Sequence, residues 1–308
     1  MQDSSFRAAR VAPRGLDWLL LAAVTVIGGS SFVLIRSAVE TMLPLEVAGL
    51  RLWVGAVILY AAMRHARQRF PRFFVRARGR WRVSRRWRYM IAAGTIGNAA
   101  PFLLFPWAQQ YVDSGLAGVY MAFMPIWTVG LAYAFAGEAA TPAKILGFAL
   151  GLIGVLVIMG LDAIREAGSA DARAQGALLL ATFCYAAAAV IIRRAPPIGP
   201  RVFSTGIIVA AAVAVTPPLI LGGIQPGAWS MAGLASVLAL GVFPTGINAI
   251  LGVMLIRRVG AGFSAIANYF TPVWALFMGV IIYAEALEPR VIAALVVILA
   301  GVAISQRR

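Results

Sequence analysis

Cysteine and histidine are all but missing from this 308-residue chain, which has only Cys184 and His65. A single cysteine inside an apolar run excludes a disulfide framework and a cysteine-built metal site. A single histidine removes haem ligation by paired histidines, zinc catalysis and a Cys/His dyad. Neither a metal nor a cofactor is therefore expected. Charge is scarce as well, at 12% of residues, and acids are scarcer than bases, 11 against 27. No Asp, Glu or His stands mid-way along an apolar run, so the usual intramembrane proton relay is not visible. In place of charge the chain carries apolar residues, 61% of the total, with a mean hydropathy of +0.87. Such values belong to a chain that lives mostly in lipid.

The charges fall between apolar runs of about 20 residues, the length that crosses a hydrocarbon core of ~30 Å. Ten spans are predicted, near residues 16–36, 44–63, 89–109, 115–136, 143–161, 176–193, 202–222, 232–256, 261–283 and 289–305. The runs are continuous rather than alternating, which predicts helices, since backbone exposed to lipid must satisfy its own hydrogen bonds. The first run follows a polar arm, residues 1–15, and lacks a small-residue cleavage site, so it reads as a retained span. The expected fold class is an all-α integral membrane protein with ten transmembrane helices.

Basic residues should then fall in every second loop. One side receives Arg7, Arg10, Arg14, Lys144, Arg193, Arg194, Arg201, Arg257, Arg258, Arg307 and Arg308, together with the loop 64–88, which holds eleven arginines and no acid. The other receives Glu40, Asp113, Asp162, Glu166, Asp171, Glu285 and Glu288. Both termini are expected on the cytoplasmic side of the inner (plasma) membrane. Arginines of loop 64–88 resist translocation and sit on anionic headgroups at roughly 1 kcal/mol per basic residue. Phe70, Phe73, Phe74, Trp81 and Trp87 fit the interfacial layer beside them. Nucleic-acid arms also mix bases with aromatics, but this loop is tethered at both ends and contains no recognisable binding module. Membrane lipid, not nucleic acid, is its expected partner.

A shift of 147 residues lays the chain over itself, pairing Phe123 with Phe270, Pro125 with Pro272, Trp127 with Trp274, Glu138 with Glu285 and Pro142 with Pro289. The same shift joins Gly94 to Gly241, Gly115 to Gly262 and Gly154 to Gly301. Two five-helix halves follow, residues 16–161 and 176–305, with an outer linker at 162–175. Five is odd, so the second half enters the membrane from the opposite face. Inverted repeats of this kind rock about a site near the midplane, which is a physical route to alternating access.

The stretches FMPIWTVGLAYAFAGEAATP and YFTPVWALFMGVIIYAEALEP, with their Pro, Glu, Pro order, resemble the two copies of the EamA-type domain of the drug/metabolite transporter superfamily. The likeness covers most of residues 16–305. It implies a ten-helix inner-membrane carrier, often an exporter of amino acids or related metabolites. The chain departs from that pattern twice. Loop 64–88 is longer and more basic, and the Trp-Gly that precedes Ser/Asn-Phe in the family's first span is replaced by Gly28, Gly29, Ser30, Ser31 and Phe32.

Pro125 and Pro272 lie near the bilayer centre, where a proline frees the carbonyl four residues earlier, here those of Met121 and Asn268, and kinks the helix. Pro101, Pro106 and Pro244 interrupt the third and eighth spans. Pro101, Pro125, Pro244 and Pro272 are candidate hinges or cavity walls, with static packing kinks as the alternative. Asn98, Asn248, Asn268, Ser30, Ser31 and Thr245 must each find partners in an apolar setting. Solute binding and helix-to-helix hydrogen bonds, worth around 0.6 to 2 kcal/mol each, account for them equally well. Trp107, Tyr120, Trp127, Tyr185, Tyr269 and Trp274 either line a cavity, where rings hold apolar groups or an ammonium, or fill the core. Arg51 sits about two turns inside the second span, where a charge is costly unless paired or hydrated. Glu46 lies about 140° away around the helix, from the ~100° turn per residue, and is a poor partner. Arg51 is left to receive a solute carboxylate, to snorkel, or to bind a backbone carbonyl. Glu138 and Glu285, each four residues before a helix-opening proline, read as helix-end carboxylates rather than proton carriers. Gly147 and Gly151 form a GxxxG read as internal packing, and a monomer is expected.

Together these features point to a secondary transporter moving a small neutral or zwitterionic metabolite, an amino acid, a related compound or a drug, in the export direction. A passive channel is the first alternative. An intramembrane enzyme is the second, but it needs a nucleophile with a base, paired buried carboxylates or metal ligands, and the acids here stand at helix ends.

Overall fold

The computed structural model describes residues 14–77, 79–136, 142–165, 169–259 and 267–305. Glu138 lies outside them, and so do the side chains of Asn268 and Tyr269. The chain is mostly helical. Helices α1 (Gly15–Gly29) and α2 (Ser31–Val39) share the first apolar run and are separated at Ser30; α3 spans Pro44–His65. Helix α4 (Arg85–Gly94) continues through a π-helical segment, Thr95–Ala99, into α5 (Ala100–Ala108). Helix α6 (Ser114–Tyr120) tightens into a 3₁₀ turn at Met121–Phe123 before α7 (Met124–Ala136). Helices α8 (Pro142–Arg165), α9 (Ala170–Arg193) and α10 (Pro200–Leu221) follow. Helix α11 (Met231–Leu240) runs through a second π segment, Gly241–Ile247, into α12 (Asn248–Val259); α13 (Ala267–Tyr283) and α14 (Pro289–Ser305) complete the fold.

Six stretches among the described residues are long and apolar enough to cross a bilayer: Gly15–Val39, Pro44–His65, Arg85–Ala108, Ala170–Arg193, Pro200–Leu221 and Met231–Gly252. Shorter apolar helices cover Ile145–Ile158, Phe270–Tyr283 and Pro289–Ile304. Helix starts follow from local chemistry. Pro44 opens α3, where Glu46 accepts from Leu43 N, and the hydroxyls of Ser84, Ser169 and Ser230 accept the first free N–H groups of α4, α9 and α11. The segment between α3 and α4, expected to be a loop in an all-helical chain, instead forms an antiparallel hairpin of β1 (Phe74–Ala77) and β2 (Arg80–Val83). Gly79, at φ 75°, supplies the left-handed position that its tight turn needs.

Helices from the two halves of the chain meet crosswise, and glycines set how closely. A Cβ on Gly94 would lie 2.4 Å from Ile207 O, so α4 rests directly on the backbone of α10. A Cβ on Gly241 would lie 2.4 Å from Val54 Cβ and 3.1 Å from Arg51 O, so the second π segment rests on α3 in the same manner. Gly154 and Gly301 bring α8 against α14, and Gly147 contributes its carbonyl to that contact. The main core lies between these pairs and holds Phe32, Ile35, Tyr120, Phe123, Leu178, Leu240 and Ile298.

Gly94→Ala is expected to lower thermal stability by about 1–3 kcal/mol, the usual cost of overpacking, because a backbone carbonyl cannot step aside as a side chain can. Gly176→Ala, with nothing within 4 Å, should be neutral or slightly stabilising. Melting the two variants in detergent by intrinsic fluorescence checks the contrast.

Candidate functional site

In both π segments a side chain reaches the backbone carbonyl five residues before it. Pro244 has no N–H to give the Leu240 carbonyl four residues back. The Thr245 hydroxyl donates to Leu240 O instead, at 2.9 Å. At the same place in the first segment, 147 residues earlier, Asn98 Nδ2 lies 3.5 Å from Ala93 O, a long contact along the same path. Thr95 Oγ1 adds a bond of 2.8 Å to Ile91 O. A helix widened in this way and held by its own side chains is a common setting for a binding site.

Arg51 depends on that arrangement. Gly55 allows the approach, since a Cβ there would lie 2.5 Å from Thr245 Cγ2. Arg51 Nε donates to Thr245 Oγ1 at 2.9 Å, and the guanidinium carbon stands 3.8 Å from the centre of the Phe102 ring. The hydroxyl thus accepts from a cation on one side and donates to a carbonyl freed by proline on the other. Arg51 is 7% exposed and has no carboxylate partner among the described residues. Glu46, its nearest acid in sequence, is engaged elsewhere, accepting from Leu43 N and Gln225 N. The stack on Phe102 offsets part of the cost of burying the charge.

The guanidinium faces a cavity of about 290 Å³ enclosed by both halves of the chain. Arg51, Asn98, Phe102, Phe105, Met121 and Met124 come from the first half, and Tyr185, Pro244, Asn248 and Thr271 from the second. Gly28, Ser31, Phe32 and Ile35 close the side at the α1–α2 break, where the Ser31 hydroxyl donates to Gly28 O at 2.5 Å. Asn248 stands one turn beyond Thr245, on the same helix face. Its Oδ1 is buried and has no hydrogen-bond partner among the described residues. An unpaired cation and an unpaired amide acceptor, each costly to leave unmet, therefore share one largely apolar chamber.

Seven residues singled out from sequence meet there: Ser31, Arg51, Asn98, Met121, Tyr185, Pro244 and Asn248. Thr245 acts one step back by holding Arg51. Several of the others lie outside that lining. Tyr120 is fully buried and donates to Gln175 Oε1; Trp127 Nε1 donates to Thr182 Oγ1; Trp274 Nε1 donates to Ser30 Oγ, tying α13 to the break in the first run. Trp107 packs at a tilt against Tyr111. Pro101 is buried at the start of α5, Pro125 follows the 3₁₀ turn at Met121–Phe123, and Pro272 lies within a continuous α13. Phe102 and Phe105 were not singled out, although they follow Asn98 at i+4 and i+7, the spacing of one helix face.

The sequence pattern of the EamA-like transporter family matches residues 15–160 and again residues 173–306. The chain belongs to that family. It carries the EamA domain twice, and a transporter rather than an enzyme is what the family describes. YoaV, an uncharacterized transporter of Bacillus subtilis, is 23% identical over 92% of this chain and 94% of its own length. YedA, an uncharacterized inner membrane transporter of Escherichia coli K12, is 25% identical over 87% of this chain and 83% of its own. A "probable terminal-alkyne amino-acid exporter" of Streptantibioticus cattleyicolor is 27% identical over 71% of this chain and 73% of its own. One solved crystal structure superposes with a TM-score of 0.61 at 19% identity, covering 96% of this chain and 97% of that one, which shows a common fold.

Proposed function

We propose that this EamA-family transporter is a secondary carrier that exports a small zwitterionic or neutral metabolite, an amino acid or a close relative, by alternating access. The observation that carries the reading is the pairing of Arg51 with Asn248. One offers a cation without an anion and the other an acceptor without a donor, the complement of a carboxylate next to an ammonium. The aromatic and methionine walls suit an apolar side chain. At about 290 Å³ the chamber falls at the small end of ligand pockets, which run from about 300 to 1,000 Å³. The Streptantibioticus relative, described as an amino-acid exporter, supports both cargo and direction.

Ten helices in two inverted five-helix repeats provide the alternation. In this reading each half opens the chamber to one compartment by rocking against the other, with both termini in the cytoplasm. The crosswise glycine contacts of α3 and α10 support it, since each half braces a π segment of the other. Protein in liposomes preloaded with unlabelled solute is expected to show saturable counterflow of labelled apolar amino acids, and weaker flux of the matching amines. Linear flux without exchange would replace the carrier by a channel.

A further inference from the structure

The hairpin between α3 and α4 takes no part in the chamber, and its surface has a chemistry of its own. Phe74 pairs with Val83, Val75 with Arg82, Arg76 with Trp81 and Ala77 with Arg80. Paired residues share a face, and faces alternate along each strand. One face therefore carries Phe74, Arg76, Trp81 and Val83, and the other carries Val75, Arg80 and Arg82. Among the described residues neither is fully covered, although Val83 is half-buried and Phe73 packs edge-on against Phe74. Trp81 is 71% exposed, Phe74 is 55% exposed, and Arg76, Arg80 and Arg82 are exposed as well. A lone two-stranded hairpin is marginally stable in water, and this one also crowds cations with no acid anywhere in residues 64–88. Such a ribbon needs a surface that takes up both rings and charge.

Its root is fixed. Phe70 and Phe73 both pack on Trp87 with ring centres at 5.2 Å, Trp87 Nε1 donates to Pro71 O, and Ser84 N donates to Phe73 O. The helices on either side, α3 and α4 with its continuation, are both long and apolar enough to cross a bilayer. The root is thereby held at the level where those helices leave the hydrocarbon, and the ribbon extends only four residues per strand beyond it.

We propose that the hairpin docks by its Phe74–Trp81 face on anionic phospholipid headgroups of the leaflet from which it emerges. The two rings occupy the interfacial layer, where tryptophan is enriched, and Arg76 engages lipid phosphate, whose oxygens match the guanidinium fork. Arg80 and Arg82, on the far face of a thin ribbon, remain within the ~8–10 Å over which charge is felt at physiological salt. Nucleic acid presents phosphates too, but a ribbon tied at both ends to membrane-crossing helices is held against headgroups continuously. This inference is independent of the solute assigned to the chamber.

The test uses the full chain with Cys184→Ser and Val83→Cys, carrying a polarity-sensitive fluorophore at the new cysteine, in phosphatidylcholine nanodiscs with and without phosphatidylglycerol. Phosphatidylglycerol is expected to shift the emission to the blue and shield the label from iodide, and added salt should weaken both effects. Arg76→Gln, Arg80→Gln and Arg82→Gln should each reduce the preference for phosphatidylglycerol about fivefold, with solute counterflow retained. Trp81→Ser supplies a second test that leaves every arginine in place, by abolishing the blue shift alone. Equal emission and quenching in the two lipids would overturn the proposal. So would an oligonucleotide shielding the label in phosphatidylcholine more strongly than phosphatidylglycerol does.

Discussion

Arg51→Gln is expected to reduce counterflow of carboxylate-bearing solutes roughly 10- to 100-fold while leaving the thermal midpoint unchanged or slightly raised. The two halves of this result have one cause. A charged hydrogen bond contributes about 1.5–3 kcal/mol, and the solute loses it in the variant. The empty protein, by contrast, loses a buried cation that, among the described residues, no carboxylate balances and that Thr245 and the Phe102 ring support. Removing an unpaired charge from a low-dielectric site relieves a desolvation cost. Arg51→Lys should fall between, because an ammonium cannot keep the Thr245 bond, lie flat on the ring and present a second donor pair together. Matching amines serve as the control and should lose little. Equal losses for amines and amino acids, with a fall in midpoint, would make Arg51 a structural residue.

Glu285→Ala should cost about 2–3 kcal/mol of stability, the second large effect. The Glu285 carboxylate accepts from Ser114 N at 2.8 Å, Ser114 Oγ at 2.6 Å and Gly115 N at 2.8 Å, joining the end of α13 to the start of α6. Alanine leaves all three donors unmet, and part-buried donors are costly to orphan. Glutamine restores an acceptor but brings an NH₂ toward N–H groups, so Glu285→Gln should recover only part of the loss. Gly279→Ala offers an independent route to the same joint, since a Cβ there would lie 2.1 Å from Glu285 Oε2. The two changes should combine less than additively, as expected for residues acting through one contact. Additive losses in a double-mutant cycle of melting midpoints would remove the joint.

The helical class was legible because lipid allows few backbone solutions, and the duplication because Pro, Trp and Glu recur in order at one offset. Arg51 stood out for a related reason, as a charge where charge is expensive. Its partner did not. Thr245 lies 194 residues away, and nothing in either local sequence reveals that Gly55 lets the two helices touch. The π segments were hidden as well, since the second rests on a threonine hydroxyl taking the place of a missing proline N–H and the first on Asn98 reaching Ala93 O, contacts visible only once the helix is formed. The aromatic positions were the least legible. Trp127, Trp274 and Tyr120 look in sequence much like Tyr185, and only the direction of the helix face separates a ring that ties two helices from one that meets the chamber. The hairpin was masked by its own composition. Alternation and a turn glycine are present in FVRARGRWRV, yet so many arginines read first as a basic loop.

Arg51 takes its ring support from Phe102 in one EamA copy and its hydroxyl support from Thr245 in the other. Cargo that settles on this guanidinium is thereby in energetic contact with the seam itself. By reciprocity, whatever the cargo gains from the seam's geometry the seam gains from the cargo. Under the proposed carrier reading, loading the chamber and reshaping the protein around it become two readings of a single equilibrium.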